Sequence, residues 1–384
     1  MEAVILAGGR GTRLQGVVSD VPKCLAPVAG RPFLDWLLAW LCQYPVDHVV
    51  FSVGYLKEQV IRFVTGREWP FRYHFAEEDS PLGTGGGIRL ALSLCEEEQV
   101  LVLNGDTFFP VELDRMPFDA TVTVALKAMQ QAGRYGTVEL QGRQIRAFRE
   151  KAACAEGLVS GGIYAIRRSR LALDGLPACF SFEREVLEPG AAAGIVNGWE
   201  CDDYFIDIGI EEDYRKAQEE IPAWFALQRV SSRLMASDAS FLFLDRDGVV
   251  NRHLPGEYVR TWDQFQFMPG FLPELRRWSG KFQRIVLVTN QRGVGKGLMT
   301  DEDLSRIHAR MMMAVLDAGA RIDLILACTA LDENHPDRKP NPGMFRQACT
   351  LFPEITAERS IMTGDAPSDA AFAANCGMSF VPFL

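Results

Sequence analysis

The sequence predicts an α/β protein of two units, each built on a mostly parallel sheet. Three observations carry this. Short apolar runs ending in glycine or polar residues recur at Ala3–Leu6, Val49–Val53, Val100–Leu103, Phe241–Leu244 and Ile285–Val288. Stretches with helical apolar spacing separate several of them, so strand and helix alternate. The pattern then restarts at Phe241, after a stretch rich in small residues. A chain of 384 residues is long enough for two separate cores.

Composition narrows the class. Hydrophobic residues make up 48% and charged residues 23%, as in ordinary globular proteins. A net charge of −10 argues against broad binding to nucleic acid or anionic membranes, so anionic ligands must be held by local basic clusters. No apolar stretch reads as a membrane span or a signal segment. Nine cysteines without a C-x-x-C pair read as reduced thiols, and a cytoplasmic location is expected. The composition leaves homo-oligomerisation open.

The first strand feeds the loop Ala7-Gly-Gly-Arg-Gly-Thr-Arg13. Glycines allow close backbone approach and arginines neutralise charge, the combination that phosphate binding needs. Neither G-x-G-x-x-G nor Gly-Lys-Ser/Thr is present, so the loop alone is also compatible with a simple turn. Pro22 and Pro27 bracket Lys23 on what reads as a constrained, extended segment. Pro32 opens a helix that places Phe33, Trp36, Leu37, Trp40 and Leu41 on one face, a core stripe. After the strand candidate Tyr73–Ala76, Leu82–Gly87 reads as a second glycine loop, with a helix starting near Ile88. Its bare backbone suits either a flat ligand or a surface turn. Val100–Asp106 runs an apolar strand into an acidic turn, where α/β sheets place their ligands. Asp207 lies within the apolar run Tyr204–Gly209, and a carboxylate there needs a partner or a metal. Asp106 and Asp207 together form a hard oxygen pair suited to Mg²⁺.

In the second half, Phe241–Leu244 ends in Asp245-Arg-Asp-Gly248. Two carboxylates this close repel unless a cation or a shared proton relieves them, which suits a nucleophile beside an acid/base. Thr289 and Asn290 end the next strand. Gly293–Gly297 fails as a phosphate loop because Asn290 and Gly297 replace the residues that such a loop requires. Thr300–Asp303 is a capping box, followed by Met311–Met313 as core packing. Lys339 sits on a proline-stiffened loop, and Asp365 and Asp369 follow a strand end.

The first half resembles the sugar-1-phosphate nucleotidyltransferases. Gly8–Arg13, Pro22-Lys23, Leu82–Gly86, Asn104–Asp106, Glu150-Lys151, Gly161-Gly162 and Asp207–Gly209 occur in that family's order. The resemblance implies a Rossmann-like domain in which a sugar 1-phosphate oxygen attacks the nucleotide α-phosphorus and releases pyrophosphate. It assigns the triphosphate to Leu6, Ala7, Gly8, Gly9, Gly11, Thr12 and Arg13, with Lys23 steadying the α-phosphate. Gly83, Thr84, Gly85 and Gly86 line the base beside Asn104 and Gly105. Asp106 and Asp207 hold Mg²⁺, while Glu150, Lys151 and Gly162 meet the sugar phosphate.

The second half is similar to the haloacid-dehalogenase phosphatase superfamily, whose four motifs are present in order. The resemblance makes Asp245 the nucleophile and Asp247 the general acid/base. Thr289 and Lys339 hold the phosphoryl group, Asn290 and Arg338 meet the sugar phosphate, and Asp245, Asp247 and Asp365 bind Mg²⁺ with support from Asp369. The short spacing from Asp247 to Thr289 implies a minimal cap. Asp245–Asn251, Thr289–Gln291 and Arg338–Pro340 are similar to heptose bisphosphate and histidinol phosphate phosphatases. The zinc loop of many of these is reduced here to Cys328 and His335, so zinc is not expected.

These readings set a transferase domain at 1–228, a linker at 229–239 and a phosphatase domain at 240–384. Together the resemblances imply two consecutive steps. A 7-phosphate leaves a heptose 1,7-bisphosphate, and the resulting 1-phosphate is coupled to GTP. The alternatives are a hexose or N-acetylmuramic acid 1-phosphate with UTP, or a second half that only regulates.

Overall fold

Five residues, Glu2–Leu6, form the first strand (β1) of a computed structural model that describes residues 1–9, 20–130, 136–149 and 156–383. Both faces of this strand are covered, which explains its unbroken apolar run. It pairs in parallel with β4 (His48–Val53) and β6 (Gln99–Asn104). Between them lie a small hairpin of β2 (Pro27–Val28) and β3 (Arg31–Pro32), helix α1 (Phe33–Leu41), α2 (Lys57–Thr65), β5 (Arg72–Glu77) and α3 (Gly83–Leu92). Trp36 and Trp40 are buried, as the spacing predicts. Lys23 departs from expectation, because Lys23–Leu25 form a 3-10 turn. Pro22 supplies an extended residue ahead of it, and one helical turn then fits between the two prolines.

The sheet is parallel only in part. Its order is β5-β4-β1-β6-β11-β8-β12-β10-β9, where β8 is Val122–Gln130, β9 Thr137–Gln141, β10 Gln144–Arg149, β11 Glu156–Arg167 and β12 Val196–Cys201. β11 runs antiparallel to both β6 and β8, so the half of the sheet beyond β6 is mixed. Two short strands, β7 (Thr107–Phe108) and β13 (Ile206–Asp207), pair antiparallel and bring Asp207 opposite Thr107, the residue after Asp106. A short helix α4 (Glu188–Ala192) precedes β12.

Helix α5 (Glu211–Ala236) is longer than the sequence suggests, and the division between units, Met1–Glu219 and Glu220–Leu384, falls inside it just ahead of Pro222. Most of the expected linker, 229–239, is therefore helical. Leu227, Val230 and Leu234 recur at helical spacing and are buried in the second unit's core with Leu242, Phe271 and Trp278. Small residues there serve packing. Ser231 is buried, accepts a hydrogen bond from Trp278 Nε1 at 2.9 Å and donates to Glu274.

The second unit holds a fully parallel sheet of order β16-β15-β14-β17-β18. β14 is Phe241–Leu244, β15 Arg284–Asn290, β16 Leu324–Cys328, β17 Ser360–Gly364 and β18 Ser379–Pro382. Alternate residues face two cores: Leu242, Leu244, Ile285 and Leu287 pack on one side, and Phe241, Phe243, Val286 and Val288 on the other. Helices α6 (Phe271–Lys281), α7 (Arg292–Gly295), α8 (Asp301–Asp317), α9 (Gly343–Leu351) and α10 (Pro367–Cys376) connect the strands. The capping box at Thr300 forms, with reciprocal bonds to Asp303 of 3.0 and 3.1 Å. Met311 is core and Met312 packs half-buried against it. Met313 is 63% exposed, because consecutive helical residues point about 100° apart.

Candidate active sites

In the first unit, β1, β4, β5 and β6 end on one edge, and their last residues and following loops form a cleft of about 490 Å³. Leu6, Gly8, Gly9, Ser52, Gly54, Glu78, Gly83, Thr84, Gly87, Asn104 and Asp106 line it. Ala7 is buried behind, its N–H bonded to the Ser52 carbonyl at 2.8 Å. Gly105 lies against Leu6, where a Cβ would come within 2.5 Å of the Leu6 carbonyl oxygen. Gly11, Thr12, Arg13, Glu150 and Lys151 lie outside the described residues.

The glycine run differs from expectation. Gly83 to Gly87 open helix α3 itself and do not form a loop ahead of it. Gly83 has φ +69, and a Cβ on Gly85 would fall 2.1 Å from the Phe180 ring. Gly85 and Gly86 pack beneath the Ala178–Phe180 segment, leaving Gly83, Thr84 and Gly87 to face the cleft. Gly162, expected near the sugar phosphate, lies against the side chain of Asn104, which lines the cleft.

At the cleft's end, the Lys23 ammonium donates to Asp106 Oδ2 at 2.6 Å and to Asp207 Oδ1 at 3.3 Å. Asp207 also accepts from the Gly209 N–H at 2.7 Å. Burial, then the nearby Asp106 charge, pushes the Asp207 carboxyl above its ordinary pKa, against the pull of Lys23. Two converging carboxylates that already attract a cation are a donor set that fits a hard divalent ion. Glu78 is a site residue that motif reading missed. Its carboxylate accepts from Leu82 N–H at 3.0 Å and Ser52 Oγ at 3.3 Å, within the cleft. Its position one residue beyond β5 was the available signal.

In the second unit, Asp245 follows β14 directly and is buried. Lys339 Nζ donates to Asp245 Oδ1 and to Asp369 Oδ1, both at 2.6 Å. Asp369 in turn caps α10 through the Ala366 N–H at 3.0 Å. Carboxylate oxygens of Asp245, Asp365 and Asp369 lie within 4.8 Å of one another, a donor set that fits a divalent cation. Burial raises the Asp245 carboxyl to about 7; Lys339 opposes this and Asp369 adds to it.

Asp247, expected among the metal ligands, is absent from this cluster. Both its oxygens accept from Arg246 at 3.0 Å, and Asn251 and Gln291 each donate at 2.9 Å. Burial alone would raise its pKa, but these donors outweigh burial and hold it below the ordinary range. Asp369 stands in the carboxylate cluster where Asp247 was expected. Thr289 is buried and accepts from Gln291 Nε2 at 2.8 Å. Asn290 clamps the lysine loop by two 3.0 Å bonds to the backbone of Lys339. Arg338 donates to the Ala330 carbonyl at 3.1 Å. The Arg246, Asn251 and Gln291 clamp was not anticipated, although all three residues stand inside the motifs already quoted.

An α/β unit with a strand-edge cleft and a carboxylate pair, followed by a parallel α/β unit with a buried aspartate–lysine cluster, fits a nucleotidyltransferase joined to a phosphatase. Residues 2–223 match the nucleotidyl transferase family and 242–382 the polynucleotide kinase 3 phosphatase family. The chain belongs to the nucleotidyl transferase family and carries in addition a haloacid-dehalogenase-type phosphatase domain, making it a bifunctional enzyme. D-glycero-alpha-D-manno-heptose 1-phosphate guanylyltransferase of Aneurinibacillus thermoaerophilus is 41% identical over 226 residues, 58% of this chain and 98% of that protein. D-glycero-alpha-D-manno-heptose-1,7-bisphosphate 7-phosphatase of Mycobacterium bovis is 41% identical over 138 residues, 35% of this chain and 71% of that protein. The crystal structure of HddC from Yersinia pseudotuberculosis complexed with GMP-PN superimposes with a TM-score of 0.53 at 32% identity, covering 57% of this chain and 98% of that one.

Proposed function

We propose that the chain catalyses two consecutive steps toward GDP-D-glycero-α-D-manno-heptose. The phosphatase unit removes the 7-phosphate of the heptose 1,7-bisphosphate, and the transferase unit couples the 1-phosphate to GTP. The observation that carries this reading is that one chain holds two acidic phosphate-chemistry sites whose relatives act on successive forms of one sugar.

In the phosphatase step an Asp245 oxygen attacks the 7-phosphorus and the bond from phosphorus to the sugar O7 breaks; Asp247, ionised in the free site, takes up a proton as substrate binds and passes it to O7. Water then cleaves the aspartyl-phosphate and returns a proton to Asp247. Thr289 and Lys339 hold the phosphoryl oxygens, Lys339 already lying 2.6 Å from Asp245. In the transfer step a 1-phosphate oxygen attacks the α-phosphorus of GTP, and the bond to the β-phosphate breaks to release pyrophosphate. Here the chain positions reactants and neutralises charge, with Lys23 at the reacting phosphate. Mg²⁺ would be held by Asp106 and Asp207 in one site and by Asp245, Asp365 and Asp369 in the other, where it supplies countercharge to phosphate oxygens.

Glu78 supports guanine as the base. A carboxylate only accepts, and guanine's Watson–Crick edge presents two adjacent donors, which neither adenine nor uracil does. Incubating the protein with the α-bisphosphate, GTP and Mg²⁺ should release both phosphate and pyrophosphate. Absence of phosphate release would sink the two-step reading, and faster pyrophosphate release with UTP would remove guanine.

A further inference from the structure

We propose that His308 is a positioning residue for the phosphatase reaction: by holding one nitrogen of Arg246, it keeps Asp247 aimed at the leaving oxygen. The inference rests on reading Asp247 as the group that protonates that oxygen. Arg246 stands between Asp245 and Asp247 in the sequence, yet its side chain is buried. A guanidinium usually meets a carboxylate as a fork, two nitrogens on two oxygens. Here a single nitrogen, Nη2, serves both Asp247 oxygens at 3.0 Å. Nη1 donates instead to His308 Nε2 at 3.2 Å, and Nε is buried without a hydrogen-bond partner. Among the described residues, His308 is therefore the only hydrogen-bond partner of the Arg246 guanidinium apart from Asp247.

His308 comes from helix α8, 62 residues further along the chain, so this contact is a product of the fold. An arginine can only donate, so Nε2 accepts and the imidazole proton sits on Nδ1. Burial keeps the ring neutral and able to accept, the same burial that lowers its pKa to about 4. With Nη1 released, Arg246 would turn to meet Asp247 as a fork, because the bidentate pair is the stronger one. The carboxylate would then follow the guanidinium and strain the bonds that Asn251 makes to Oδ1 and Gln291 to Oδ2, both at 2.9 Å. Asp247 keeps 28% of its side chain exposed, whereas Arg246 is closed off behind it at 1%. The step at stake is departure of the sugar. The bond from phosphorus to the leaving oxygen breaks, its electron pair stays on oxygen, and the proton from Asp247 neutralises it.

The test measures kcat/KM for phosphate release by the full chain with Mg²⁺, on the heptose 1,7-bisphosphate and on p-nitrophenyl phosphate. A sugar alkoxide needs a proton to leave and p-nitrophenolate does not, so only the first substrate reads the acid. His308→Leu should lower kcat/KM for the bisphosphate about 10- to 100-fold and leave the aryl ester within about 3-fold. His308→Gln, whose amide oxygen accepts from Arg246, should restore most of the loss. The ratio between substrates cancels any loss of folded enzyme. In an Arg246→Lys background there is no second nitrogen to hold, so His308→Leu should cost nothing further on the bisphosphate, an arm that needs only that substrate. Equal loss on both substrates, no loss on either, or additive effects in the double variant overturns the proposal. Asp247→Asn separates this from the reading beneath it. If that variant lowers both substrates alike, Asp247 is not the acid, and the assignment of the reaction fails before the role of His308 does.

Discussion

Lys23 and Lys339 stand in the same relation to their surroundings, each ammonium between two carboxylates, Asp106 and Asp207 in one unit and Asp245 and Asp369 in the other. The second pair is the more deeply buried, so removing its cation leaves two carboxylates facing each other without relief. Lys339→Met should abolish phosphate release and destabilise the second unit by about 3 kcal/mol, read as a lower urea midpoint. Glu78→Gln exchanges a pure acceptor for a mixed amide. It should raise KM for GTP by roughly 10- to 100-fold and narrow the margin over UTP, measured by pyrophosphate release. Motifs made the two aspartate sets legible in the sequence. Glu78, Arg246 and Gln291 were harder to read because holding a group in place has no spacing signature, and only contacts reveal it.

Helix α3 shows why an element can be misread. Glycines lower helix propensity, so Gly83–Gly87 reads as a loop, yet the close approach of Phe180 and Ala178 leaves no room for side chains on that helix. Gly85→Val should therefore destabilise the first unit and impair nucleotidyl transfer, whereas a loop glycine would tolerate the change. Thermal melts and pyrophosphate assays would separate the two cases. Helix α8 is the opposite case, since Thr300 and Asp303 announce its start and the reciprocal bonds form as expected. Thr300→Ala should cost about 1 kcal/mol, measurable by denaturant titration. Helix α5 continues through the expected linker although the small residues around Ser231 suggest a break. The buried positions Leu227, Val230 and Leu234 outweigh those local signals.

At the scale of the whole chain, the two activities should be separable. Asp245→Asn should lower phosphate release by at least about 10²-fold while sparing pyrophosphate formation, and Asp106→Asn should do the reverse. Joint loss in either variant would contradict independent sites. Acid should weaken the second unit through His308, whose ring nitrogen lies 3.2 Å from Arg246 Nη1. Burial first, and then the Arg246 charge, lowers its pKa from 6.5 to about 4. The unfolded chain therefore binds the proton first. This contribution to stability is intact above about pH 6.5 and is lost as pH falls toward 4. Urea unfolding at pH 7.5 and 5.0 should show a larger loss for the wild type than for His308→Gln.

The sequence by itself determined the α/β class, the duplication of phosphate chemistry and the aspartates that carry it. Strand-end motifs are local, and their chemistry depends on residue type and short spacing. Tertiary structure decided what those motifs could not. It placed Glu78 in the cleft at the strand edge, exchanged Asp369 for Asp247 among the clustered carboxylates, and carried helix α5 through the expected linker. Each of these depends on which distant residues share a buried space, and desolvation and packing set that only once the chain has folded.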